Sequence, residues 1–202
     1  MPRFHRKTTP GVCFGQVQRK NNWARTPDCY YTPQQTPAID RKRPGQGYRH
    51  LLLKRDIERF VDLLPHWEDV SRGLDVIVLD RGRSDCAGWY NRGVLAVCAF
   101  EANLVYELDP VWYASHRELL TRLGVKVEVL GEDSNIGHWT PSTARAFQLV
   151  HVFLHELGHH IDRMTTRPQK WCERGEDYAE QYAWAYEVMV WDSYCDEFGM
   201  PG

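Results

Sequence analysis

The chain has 202 residues, 43% of them hydrophobic and 12% aromatic, which is enough for one domain with a sizeable core. No apolar run approaches the ~18 residues that a membrane-spanning helix needs, so none is expected. The formal net charge of −2 hides an uneven spread: residues 1–55 hold twelve Lys/Arg against Asp28 and Asp40, leaving thirteen basic and twenty-five acidic residues to the remainder.

The N-terminal MPRFHRKTTPGVCF is positive but has no apolar stretch behind it, so no secretory signal is expected and a cytoplasmic location is the default. The six cysteines include no CxxC pair and are expected to be reduced thiols. A zinc knuckle from His5, Cys13, Cys29 and His50 would match no usual ligand spacing.

Residues 1–47 contain six of the eleven prolines and few periodic apolar residues, which predicts a basic, poorly ordered leader. Arg41, Lys42 and Arg43, close to Tyr48, would suit a polyanion or another partner. The same cations would equally suit a solvated tail draped over the acidic body. Residues 48–202 are expected to form a single domain.

Leu52, Ile57, Phe60, Val61 and Leu64 fall at helical spacing, so 50–64 reads as an amphipathic helix ended by Pro65. Residues 74–79 (LDVIVL) read as a strand. A turn-rich stretch with Gly82, Asp85, Gly88, Asn91 and Gly93 follows. Residues 94–100 are apolar throughout, predicting a central strand, and 103–108 predict a third. Asp109-Pro110 is a strong helix start, and Gly124 is the expected stop after Leu119, Leu120 and Leu123. Residues 125–129 alternate as a half-exposed strand, and 131–137 read as a polar turn. Mixed elements without a regular βαβ repeat predict an α+β fold.

Thr140-Pro141 opens the next helix, in which Phe147, Val150, Leu154, Leu157 and Ile161 recur at steps of three and four. Within it, residues 151–162 read HVFLHELGHHID and contain an HExxH match at His155, Glu156 and His159. Residues four apart stand one turn above each other, so both imidazoles can aim at one point, away from the apolar stripe. Two neutral nitrogens on one rigid element are half of a zinc site, and Glu156 can serve as base toward a water. After a loop, 173–198 reads as a last helix. Tyr178, Tyr182, Trp184, Tyr186, Met189, Trp191 and Tyr194 spread around it, so it is expected to be largely buried.

A catalytic zinc needs a third protein ligand, and Asp162, Glu173, Glu176, Asp177 and Glu180 are the downstream candidates. Asp162 shares the histidines' face but lies roughly 10 Å along the axis from His155, which favours a supporting or capping role. Glu176 and Glu180 share one face of the last helix, flanked by Ala179 and Ala183.

Here the chain resembles the zincin metallopeptidases, specifically the gluzincins, whose HExxH helix is followed by a second helix donating a glutamate. The stretch Glu176-Asp-Tyr-Ala-Glu180 is similar to their ExxA[DE]-type segment. The resemblance implies a Zn2+ held by His155, His159 and Glu176, with Glu180 orienting His155 and Glu156 as general base in peptide-bond hydrolysis. It implies a peptide or protein substrate laid along an edge strand, for which 94–100 or 103–108 are the candidates. It also implies an oxyanion-stabilising side chain, for which Tyr178, Tyr182, His151 and His138 are candidates. Two other readings stand beside it: a zincin-fold binding module without activity, and a nucleic-acid-associated protein acting through the basic leader.

Overall fold

The computed structural model describes residues 29–131, 134–167, 169 and 172–202, together with the backbone alone of 12–13, 16–17 and 28. The fold is α+β.

Its centre is a four-stranded sheet of β1 (Ala38–Arg41), β2 (Val76–Asp80), β3 (Gly88–Asn91) and β4 (Val94–Cys98), in the spatial order β1-β2-β4-β3. The β1–β2 and β2–β4 pairs are parallel, whereas β3 runs antiparallel to β4, with Trp89 opposite Ala96 and Tyr90 opposite Leu95. β2 and β4 are buried at every position because both sheet faces are covered, which is why they read as unbroken apolar runs. Ile77, Leu79, Leu95 and Val97 enter the main core. Val76, Val78, Val94 and Ala96 face a smaller cluster closed by Cys29, Tyr30 and Trp89.

A second, three-stranded antiparallel sheet places β7 (Asn135–His138) between β5 (Val105–Leu108) and β6 (Lys126–Val129).

Three helix starts follow from local chemistry. Leu53 N donates to Asp56 Oδ2 (2.8 Å) at the start of α1 (Lys54–Val61). Asp109 accepts from the backbone N–H groups of Val111 and Trp112, both at 2.9 Å, at the start of α2 (Pro110–Leu123). Gly124 closes α2 in the left-handed region, at φ 75°. Thr140 accepts from Thr143 N (3.1 Å) at the start of α3 (Pro141–Phe147). The backbone then continues through a widened π segment, Gln148–Phe153, into α4 (Leu154–Thr165). The chain returns in α5 (Gly175–Phe198), which packs along α4. Phe60 and Tyr194 meet edge-on, and Phe60 meets Phe153 in the same way at 5.5 Å, tying α1, the π segment and α5 into one core.

Several expectations need correction. Gly88–Asn91 and Asn135–His138 are strands where turn residues predicted loops. In both, tertiary pairing overrides the local turn preference of Gly and Asn. Residues 94–98 are interior to the sheet, so they offer no edge for a substrate; the edge on that side is β3. Ala38–Arg41, inside the stretch read as a leader, is the sheet's other edge strand. The last helix is buried along one stripe only, Ala179, Ala183, Glu187, Val190 and Tyr194, while Trp184, Val188 and Met189 are exposed. Apolar residues all round a helix do not reveal how much of it neighbours cover. His5 and the Cys13 side chain, half of the conceivable zinc knuckle, lie outside the described residues. Cys86, Cys98, Cys172 and Cys195 are free thiols.

Candidate metal centre

α4 carries its site because its two faces do different work. Leu154 and Leu157 are fully buried and fix the helix in the core. Gly158 sits where a Cβ would come within 2.8 Å of Ala179 Cα, so α4 and α5 approach backbone to backbone. That approach brings Glu176 Oε2 to 3.1 Å from His155 Nε2 and 3.4 Å from His159 Nε2. His155, His159 and Glu176 each have one ligand atom within 4.8 Å of the other two. Glu180, one turn further along α5, accepts from His155 Nδ1 at 2.9 Å. With Nδ1 bound to Glu180, Nε2 is the His155 atom that faces Glu176 and would meet an ion.

Asp162 does not join this group. Completely buried, it accepts from Arg174 N (2.8 Å), Arg174 Nε (2.9 Å) and Gly175 N (3.1 Å). It therefore caps the start of α5, one residue before Glu176. The Arg174 guanidinium in turn lies 3.7 Å from the centre of the Tyr178 ring.

The donor set suits a borderline transition-metal ion, two imidazole nitrogens and a carboxylate oxygen being a common zinc environment. Ligand atoms on a tetrahedral ion at ~2.05 Å stand ~3.3 Å apart, and both Glu176 separations agree with that spacing. His159 is further suited because burial holds its pKa below the ordinary imidazole value, keeping it neutral near pH 7. For His155, burial acts in the same direction, but Glu180, Glu156 and Glu176 outweigh it and raise the pKa, so a cation would displace a proton there. Glu180 is buried enough to be raised, yet the surrounding imidazoles of His116, His155 and His151 hold it well below the usual carboxylate range. Glu156 is buried beside this group. Burial pushes its carboxyl up to about 8, with His155 opposing and Glu176 adding a little.

These side chains line a cleft of about 1100 Å³. One wall is β3, and the contact is close: a Cβ on Gly88 would come within 2.8 Å of Glu156 Oε1 and 2.7 Å of Val152 Cγ1. The opposite rim includes Tyr106 and Glu107 of β5. β3 has no partner on its far side among the described residues, so its outer edge is open beside the cleft.

The four residues considered for an oxyanion role fall in different places. His151 lines the cleft but is bound through Nδ1 to Glu187 Oε1 at 2.8 Å. Tyr178 and Tyr182 are not part of the cleft wall; Tyr182 stacks on Tyr186 at 4.6 Å. His138 is exposed and pairs with Glu128 at 3.3 Å. In the basic N-terminal region, Lys42 pairs with Asp80 at 3.1 Å. The residue that sequence reasoning missed is His116, which reaches Glu180 from α2. Its position three and four residues before the buried Leu119 and Leu120, on the helix's inner face, was the available signal.

Comparison with known proteins finds no matching family model, no matching curated protein and no matching solved structure. No helix among the described residues is long and apolar enough to cross a membrane.

Proposed function

We propose that the chain is a zinc-dependent peptidase of the zincin type, gluzincin-like in taking its third ligand from the helix after HExxH. The observation that carries this reading is the meeting of His155, His159 and Glu176 beside a buried Glu156, with Glu180 bound behind His155. A mixed sheet with an antiparallel edge strand beside the HExxH helix supports the zincin-like fold.

The ion would be held by His155 Nε2, His159 Nε2 and a Glu176 oxygen, and it would supply Lewis acidity toward a water and the scissile carbonyl. The protein groups do the rest. Glu180 fixes the ring of His155 and keeps its proton on Nδ1. Glu156 takes a proton from the attacking water at a carboxylate oxygen and delivers it to the departing amine. The free edge of β3 binds an extended peptide by main-chain hydrogen bonds, which holds the scissile bond above Glu156. The closeness of Gly88 to that carboxylate is what lets a peptide backbone lie so near the base.

The test is metal analysis of the purified chain together with cleavage of peptide libraries by the wild type and Glu156→Gln. Stoichiometric zinc, with cleavage lost in the variant, is the expected result. A folded chain that holds no metal at micromolar zinc overturns the reading. Tight zinc binding with no cleavage of any library would replace it with a metal-stabilised binding module.

A further inference from the structure

Behind His155, on the side away from Glu176, lies a second group of potential ligands. His116 Nε2 is 2.6 Å from Glu180 Oε1, and His151 Nε2 is 3.8 Å from the same oxygen. His116, His151 and Glu180 each have one ligand atom within 4.8 Å of the other two. We infer that His116, His151 and Glu180 form a second transition-metal site, distinct from the HExxH centre.

The tautomers make the case. His116 Nδ1 lies 2.8 Å from the Trp112 carbonyl oxygen, and His151 Nδ1 lies 2.8 Å from Glu187 Oε1. The carbonyl and the carboxylate can only accept, so both Nδ1 atoms carry hydrogen; Ser115 Oγ, 2.9 Å from His116 Nδ1, gives its own hydrogen to the Trp112 carbonyl at 2.9 Å. In neutral imidazole that leaves a lone pair on each Nε2. Two lone pairs and a carboxylate oxygen then converge in a place where His116 is 5% and His151 4% exposed. Three acceptors facing one another repel unless a positive centre lies among them.

A proton answers this poorly. His116 Nε2 and Glu180 Oε1 stand 2.6 Å apart and are both buried, yet neither atom has a well-aligned hydrogen bond. An N–H hydrogen must point along the N···O line to be useful, whereas a cation on the Nε2 lone-pair axis need not lie on that line. The surroundings are those of metal-binding imidazoles, which donate their second nitrogen to a carbonyl or carboxylate. His116 has the carbonyl, and His151 has a carboxylate itself paired with Arg122. The rings are also held before any ion arrives. His116 stacks on Trp112 at 4.0 Å and meets the His151 ring edge-on at 4.9 Å.

Two imidazole nitrogens and one carboxylate oxygen select an ion of the zinc and cobalt class over calcium or magnesium, which prefer all-oxygen shells. His116, His151 and Glu180 all open onto the cleft, which supplies both an entry path and a water for the remaining position. Glu180 links the two centres, Oε2 serving His155 and Oε1 the second ion. Neither His116 nor His151 is among the ligands His155, His159 and Glu176, so this site stands whether or not the chain is a peptidase.

The experiment is Co2+ titration of the chelator-stripped full chain, followed by visible absorption and checked by metal analysis. The wild type is expected to take two ions. His151→Gln should take one, and His159→Ala combined with Glu176→Ala should also take one, with a different spectrum. If His151→Gln does not fold, the His159/Glu176 double variant decides alone: one retained ion supports the second site and none overturns it. A wild type whose single ion survives in His151→Gln and disappears in the double variant also overturns it. A single ion with the reverse pattern supports the second site and counts against the first.

Discussion

Gly158 and Ala179 touch through their backbones: a Cβ at 158 would come within 2.8 Å of Ala179 Cα and 3.0 Å of its carbonyl oxygen. Neither of those atoms can move without moving α5. Gly158 stands between Glu156 and His159, and Ala179 between Glu176 and Glu180. Gly158→Ala is therefore expected to separate the helices, costing ~1–3 kcal/mol of stability. It should weaken zinc binding tenfold or more, as read by competition with a chromogenic chelator.

Glu156→Gln is expected to lower peptide hydrolysis by ~10²–10⁴-fold while leaving zinc content unchanged. The same variant has a pH signature in the metal-free chain. Burial raises the folded-state pKa to about 8 from an ordinary 4.5. The folded state thus holds the proton more tightly than the unfolded state, and this group's effect is to lower stability as pH climbs from ~4.5 to 8. Urea unfolding in the presence of chelator should show Glu156→Gln more stable than wild type at pH 8, by roughly 4 kcal/mol, with the gap closing toward pH 5.

Asp162 holds three donors at the start of α5 while fully buried. Asp162→Ala would strand the two backbone N–H groups and the Arg174 guanidinium, a loss of ~3 kcal/mol. Glu176 lies in the turn that this cap begins, so zinc affinity should fall with stability. An unchanged affinity in a measurably destabilised protein would separate the cap from the site.

His160 is fully buried, with Nδ1 3.1 Å from Tyr90 Oη and Nε2 3.2 Å from the Arg72 carbonyl oxygen. Burial, helped by Arg163, lowers its pKa to about 4, the carbonyls of Arg72 and Val70 opposing. The unfolded chain takes up the proton first, so the stability from neutral His160 is complete above pH ~6.5 and is lost as pH falls toward 4. His160→Gln should flatten that acid-side slope while lowering stability at pH 7 by ~1–3 kcal/mol.

Much of this arrangement can be read from local chemistry. Asp109-Pro110 and Thr140-Pro141 mark two helix starts because cap and proline act within one turn. The four-residue spacing of His155 and His159, and of Glu176 and Glu180, identifies faces without reference to the fold. What depends on distant partners stays hidden. Gly88–Asn91 becomes a strand only because β4 is beside it, and its Gly reads as a turn signal when taken alone. His116 looks like an ordinary core histidine until α2 and α5 are brought together. No residue pattern marks the widened stretch at Gln148–Phe153.

That stretch sets a phase. A π turn holds about one more residue than an α turn, and each helical residue rotates the next by roughly 100°. Deleting one residue from Gln148–Phe153 would let the helix run on in regular form from Pro141 and keep its helical content. It would also swing His155, Glu156 and His159 around the axis and away from α5. The irregularity works as a spacer in rotation: a more ideal helix here would point the same three side chains at the wrong neighbour.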